Sequence, residues 1–147
     1  VNLVDDCHEE RSKIYCDNFV DLKKFDGEEI SYWYSLTDIA GNVAESKPVK
    51  INVDTTSPVM NNLDSFWTQN GRYIYFNMSI TENNLDRVSY SYVDSHGIVR
   101  DKLLCSRLKD GMCTVKKSFT KGNYNLTINV LDDAGNSVGI PVSFYVN

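Results

Sequence analysis

Histidine is nearly missing from this chain of 147 residues: only His8 and His96 occur. Acid–base or metal chemistry built on imidazole therefore has little to draw on. Basic residues are outnumbered, 15 Lys and Arg against 20 Asp and Glu, which leaves a net charge of −5. That balance argues against nucleic acid, because phosphate binding needs a clustered positive field. No apolar run approaches the roughly 20 residues of a membrane helix, and no basic-then-apolar leader opens the chain. Neither a nucleophile elbow nor a glycine-rich phosphate loop is present. These absences favour a non-enzymatic chain with no membrane span. It starts at Val1 rather than Met, so it is expected to be a processed product or an excised piece, with any signal or anchor outside it.

What is present is a repeat. "LTDIAGNV" at 36–43 recurs as "LDDAGNSV" at 131–138, with Asp38 and Asp132 94 residues apart. Similarity at a fixed period is the mark of repeated modules. The runs that follow, "PVKINVD" and "PVSFYVN", alternate apolar and polar residues as strands do. Gly41 and Gly135 allow positive φ, and the preceding Asp can bond the turn's own amides, so a turn of this kind fixes strand register. Between 55 and 147, seven short strands are separated by turns every 8–12 residues, with no 3.6-residue period. This pattern implies an all-β sandwich. Residues 1–54 match only the later half of 55–147 and are 39 residues shorter. The expected architecture is therefore two tandem sandwiches, 1–54 and 55–147, the first incomplete at its N-terminal side. Half a sandwich leaves sheet edges and an apolar face uncovered. The lacking strands would come from a separate piece of the same protein or from another subunit.

Cys7 and Cys16 lie nine apart, and Cys105 and Cys113 eight apart, each pair ahead of its module's Ala-Gly-Asn turn. Zinc sites favour tighter Cys-x2-Cys pairs. One local disulfide per module is the better reading, although four cysteines allow three connectivities. The second disulfide would close a hairpin between "IVRDKLLC" and "MCTVKKSF". Asn77-Met78-Ser79 and Asn125-Leu126-Thr127 match the N-glycosylation acceptor, and strand phase turns both asparagines outward. Disulfides and sequons together point to an extracellular or cell-surface address.

At "YWYSLTDIAGNVAESKPVKINVDTTSPV" the chain resembles the bacterial and archaeal immunoglobulin-like repeats of large surface proteins and adhesins. The matching pieces are the Tyr-rich strand at Tyr32–Tyr34, the turn at Asp38–Asn42, the last strand at Val49–Val53, and the Asp-Thr-Thr-x-Pro linker at Asp54–Pro58. A second copy keeps "YNLTINVLDDAGN". The cysteine pairs depart from the usual pattern. The resemblance implies tandem immunoglobulin-like sandwiches that pack with neighbouring modules of the same protein or with adjacent subunits. It also implies Ca²⁺ held by linker and loop acids, for which Asp54, Glu82, Asp132 and Asp133 are the candidates. The plainer alternative for all four is solvated or turn-capping carboxylates.

Trp33 breaks the phase of Ile30, Tyr32, Tyr34 and Leu36, so it is expected to face outward, as are Tyr73 and Tyr75. Exposed aromatics of this kind can mark a contact surface for a receptor or glycan; they are also common without one. Trp67 is expected in a turn. The functional expectation is a spacer in a surface or filament-forming protein. Two alternatives stand beside it: an adhesin-type binding module, and a filament subunit completed by strand exchange between chains.

Overall fold

The computed structural model describes residues 7–17, 19–94 and 96–147, with Cys7 and Ile14 described by backbone alone. The protein is all-β, with no α-helix among these residues, and it divides into two compact units, Val1–Thr55 and Thr56–Asn147. No helix among the described residues is long and apolar enough to cross a membrane. The expected strand near "VNLV" lies outside the described residues.

Among its described residues, unit 1 consists of hairpins and one 3-10 turn. Strands β1 (Cys7–Glu10) and β2 (Lys13–Cys16) pair through a two-residue turn in which Arg11 and Ser12 both take positive φ. That is the turn geometry whose twist suits a tight hairpin. The Cys7 backbone stands directly opposite Cys16, and Cys16 is disulfide-bonded. The Cys7 side chain lies outside the described residues. A 3-10 turn at Lys23–Phe25 follows.

One long interrupted hairpin then fills the rest of unit 1. Strand β3 (Glu29–Tyr32) pairs with β6 (Val49–Asn52), and β4 (Ser35–Thr37) pairs with β5 (Val43–Glu45) nearer the tip. The expected continuous strand "EISYWYSLT" is broken at Trp33 and Tyr34. There Ser46 takes over the pairing: its Oγ accepts from the Tyr34 amide at 2.9 Å, and its amide donates to the Tyr34 carbonyl at 2.9 Å.

Unit 2 has eight strands among its described residues. They are β7 (Val59–Met60), β8 (Trp67–Asn70), β9 (Tyr73–Thr81), β10 (Leu85–Val93), β11 (Val99–Cys105), β12 (Met112–Ser118), β13 (Gly122–Asp132) and β14 (Ser137–Val146). They form one sheet in the order β11-β10-β13-β14 and another in the order β12-β9-β7, with β8 also on β9. Every pair is antiparallel. Trp67 therefore opens a strand rather than sitting in a turn, and its ring packs 5.8 Å from that of Phe144.

Period-2 alternation explains the core. Ile74, Phe76, Met78 and Ile80 of β9 are buried, as are Leu126, Ile128 and Val130 of β13 and Val142, Phe144 and Val146 of β14. With Val88, Cys113 and Phe119 they make one cluster to which both sheets contribute. Each large apolar side chain buried this way contributes roughly 1.5–3 kcal/mol. Strand β9 also has a gap on one edge, between β8 and β7. The Asn62 side chain fills it, donating to the Asn77 carbonyl at 2.8 Å and accepting from the Ser79 amide at 2.9 Å. A buried edge left without such partners would forfeit the desolvation energy of each unpaired group.

The Cys105–Cys113 disulfide is present, with Cα atoms 6.0 Å apart, but it does not close a paired hairpin. Strands β11 and β12 are edge strands of different sheets. Between them "KDGM" makes its own tight turn, in which Lys109 and Met112 exchange both backbone hydrogen bonds at 2.9 Å. The eight-residue separation is long enough for the chain to cross from one sheet to the other. The bond thus ties two sheet edges together.

Candidate functional site

The repeated turn is a fully hydrogen-bonded polar constellation among the described residues. In unit 1 the Asp38 amide donates to the Asn42 carbonyl at 2.9 Å, and the Gly41 amide donates to the Asp38 carbonyl at 3.0 Å. Asp38 Oδ1 accepts from the amides of Ala40 (2.9 Å) and Asn42 (2.8 Å), while Oδ2 accepts from Asn42 Nδ2 at 2.7 Å. Unit 2 repeats the arrangement. Asn136 donates its backbone amide to Asp132 Oδ1 at 2.7 Å and its Nδ2 to Oδ2 at 2.8 Å; the Gly135 amide donates to the Asp132 carbonyl at 3.3 Å. Gly41 and Gly135 have φ of +87° and +92°. A three-residue loop of this form needs a left-handed residue before the chain re-enters the strand.

A third copy escaped the sequence reading. Asp94 Oδ1 accepts from the amides of His96 (2.9 Å) and Ile98 (3.0 Å), and the Gly97 amide donates to the Asp94 carbonyl at 3.0 Å. Ile98 stands where the other turns have Asn, so the second carboxylate oxygen accepts from Arg100 Nε at 2.8 Å instead. The Asp-x-x-Gly spacing was the available signal. The Asn42 side-chain amide holds the Asp38 carboxyl below its ordinary range. At Asp94 the Ile98 amide does the same, helped by Arg100. Donors aimed at the charged form stabilise it in both cases.

The candidate calcium ligands are placed as follows. Within unit 2, carboxylate oxygens of Glu82 and Asp132 lie within 4.8 Å of each other. Glu82 accepts from the Asn84 amide at 2.7 Å, and the Asp133 amide donates to the Asn84 carbonyl at 2.8 Å, so the "TENN" loop is laced to the "DDAGN" turn. The Asp133 side chain is exposed and does not join that pair. Asp54 is the penultimate residue of unit 1.

Both sequon asparagines are exposed on strands, Asn77 on β9 and Asn125 on β13. Tyr73 is half-buried and Tyr75 exposed. Lys116 Nζ lies 3.9 Å over the Tyr73 ring and 5.3 Å from that of Tyr75. Such cation–π contacts are worth on the order of 0.5–1 kcal/mol at exposed positions. Trp33 is exposed in unit 1. His8 stacks on Tyr15 across β1–β2 with ring centres 5.6 Å apart, and His96 Nδ1 lies 4.0 Å from Asp94 Oδ1 at the exposed third turn.

The long hairpins of the two units share their register near the tip, and unit 1 slips by one residue beyond the break at Trp33 and Tyr34. Tyr32 pairs with Val49 and Leu36 with Ala44; at the corresponding places Leu126 pairs with Val142 and Val130 with Val138. Their surroundings differ. Leu36 is 71% exposed where Val130 is 0%, and Tyr34 is 58% exposed where Ile128 is 0%. The face that unit 2 buries, unit 1 leaves open. No family model matches the chain, and no curated protein matches it.

Proposed function

We propose that the chain is a non-catalytic structural spacer of an extracellular or cell-surface protein, built from immunoglobulin-like modules. The observation that carries this reading is the recurrence, 94 residues on, of a whole hairpin with the same hydrogen-bonded turn at its tip. Strand order β12-β9-β7 against β11-β10-β13-β14 fits an immunoglobulin-like sandwich. A disulfide tying two sheet edges suits an oxidising compartment. Replacing the segment within its parent protein tests the idea. An unrelated rigid pair of modules of equal length should preserve surface display and adhesion. Failure of that swap, together with loss of binding in Trp33→Ala or Tyr73→Ala, would instead establish the adhesin-type module.

The same reading carries a calcium expectation. In unit 2, Glu82 and Asp132 offer hard oxygen donors, fewer than the six to eight oxygens Ca²⁺ takes. Millimolar Ca²⁺ should raise the melting temperature of the full chain, and Glu82→Gln should remove the increment. A melt indifferent to Ca²⁺ retires calcium from the reading.

The open face of the unit 1 hairpin favours a second reading, completion by strands from another polypeptide. Concentration-dependent polymers that Leu36→Lys abolishes would support it; a monomer at all concentrations would count against it.

A further inference from the structure

We infer that Asn77 and Asn125 of unit 2 carry N-linked glycans, each with its first sugar lying against a neighbouring tyrosine. The acceptor motif nominates both residues, and four structural observations go further. First, both side chains are exposed and stand on outward positions of long strands whose alternate residues form the core. Second, each amide is oriented by a hydroxyl directly across the ladder. Thr114 Oγ1 donates to Asn77 Oδ1 at 2.8 Å, and Ser143 Oγ donates to Asn125 Oδ1 at 2.9 Å. Third, with the carbonyl so engaged, Nδ2 is the free end: among the described residues it donates no hydrogen bond at either position. Nδ2 of Asn61, Asn62, Asn129 and Asn136 all do. Fourth, each asparagine has an exposed tyrosine on its own face. Tyr75 is two residues back on β9 and 38% exposed, and Tyr145 is diagonal to Asn125 across β13–β14 and 47% exposed. The apolar face of a pyranose ring packs on such a surface.

Attachment joins Asn Nδ2 to the anomeric carbon of a polyprenyl-diphosphate-linked oligosaccharide. The bond from that carbon to the diphosphate oxygen breaks, the diphosphate leaves with the electron pair, and the amide gives up one proton to the transferase's base. The sugars then project from opposite sheets, because β9 and β13 belong to different ones.

The test is the full chain, secreted by a host that glycosylates a control sequon. After release of the sugar by peptide:N-glycosidase, peptide mapping should find Asp at both 77 and 125. Ser79→Ala and Thr127→Ala keep each asparagine but remove the hydroxyl the transferase needs, and each should lose its own glycan. The glycosylated chain should melt higher than the enzymatically stripped one, with a smaller gap in Tyr75→Ala. A secreted, disulfide-linked chain with both asparagines bare would overturn the inference; a gap unchanged by Tyr75→Ala would overturn the sugar–tyrosine contact.

Discussion

Asp132→Ala is the most informative single change, because the same side chain performs the same task in three places with different access to water. Asp132 is 1% exposed, and both of its carboxylate oxygens accept hydrogen bonds from Asn136. Hydrogen bonds to a charged group are worth roughly 1.5–3 kcal/mol each, and a donor stranded in the interior costs its desolvation energy as well. Removing the carboxylate should therefore destabilise unit 2 by about 3 kcal/mol, at the low end of that sum because Asn136 can relax toward solvent. With a urea m-value of about 1–3 kcal/mol/M, the midpoint should fall by roughly 2 M. Each unit holds one tryptophan, Trp33 and Trp67, so a Trp33→Phe background reports unit 2 alone. Asp132→Asn keeps one of the two acceptor oxygens and should lose less. Asp94→Ala should also lose less, because water can replace its bonds at the exposed turn, and Asp38→Ala should scarcely move unit 1. If Asp94→Ala costs as much as Asp132→Ala, burial is not what sets the energy of this turn.

Three further outcomes follow from the same geometry. The carboxyls of Asp38 and Asp94 are held below the ordinary 3.8, so their contribution is fully present above that value and lost as pH falls through the lowered folded-state values. Unfolding midpoints should be flat near about pH 5 and decline below 3.8, and Asp94→Asn should flatten the decline for unit 2. Replacing Cys105 and Cys113 with Ala should cost roughly 2.5 kcal/mol by loop-closure entropy. Amide exchange should accelerate in both β11 and β12; acceleration confined to 106–112 would show that the bond does not hold the two sheet edges. Finally, Ile128→Ala should cost about 2–5 kcal/mol, while Tyr34→Ala at the corresponding place in unit 1 should stay within about 0.5 kcal/mol. A large Tyr34→Ala cost would mean that the unit 1 face is covered in solution.

Much of unit 2 was legible in the sequence because burial imposes period 2. Ile74, Phe76, Met78 and Ile80 alternate with outward residues, so the strand, its inner face and the outward turn of Asn77 could all be read together. Strand β8 was not legible: "WTQN" is short and polar, and its pairing with β9 depends on the tight turn at Gly71 rather than on an apolar pattern. The third turn was hidden because Ile98 replaces Asn, and the lost side-chain donor is supplied by Arg100 from further along the chain. The cross-sheet role of Cys105–Cys113 was hidden for a different reason. Spacing reports that two cysteines are near in sequence, and is silent on which sheet each strand joins.

Unit 1 marks where pattern stops implying burial. Its hairpin repeats the alternation of β13–β14, and the register near the tip, with a one-residue slip between β4–β5 and β3–β6; its tip repeats the bonds of Asn42 to both oxygens of the turn aspartate. The turn forms in both units because its partners lie within four residues. The inner face depends on a second sheet many residues away in sequence, which for β13–β14 is supplied by β9 and β12. Local hydrogen bonding can thus specify the hairpin while Tyr34 and Leu36 stay exposed, and the energy of those side chains waits on a surface to pack against. Of the two parts of the repeat, the turn is complete within each copy, and the apolar face is a demand for a partner.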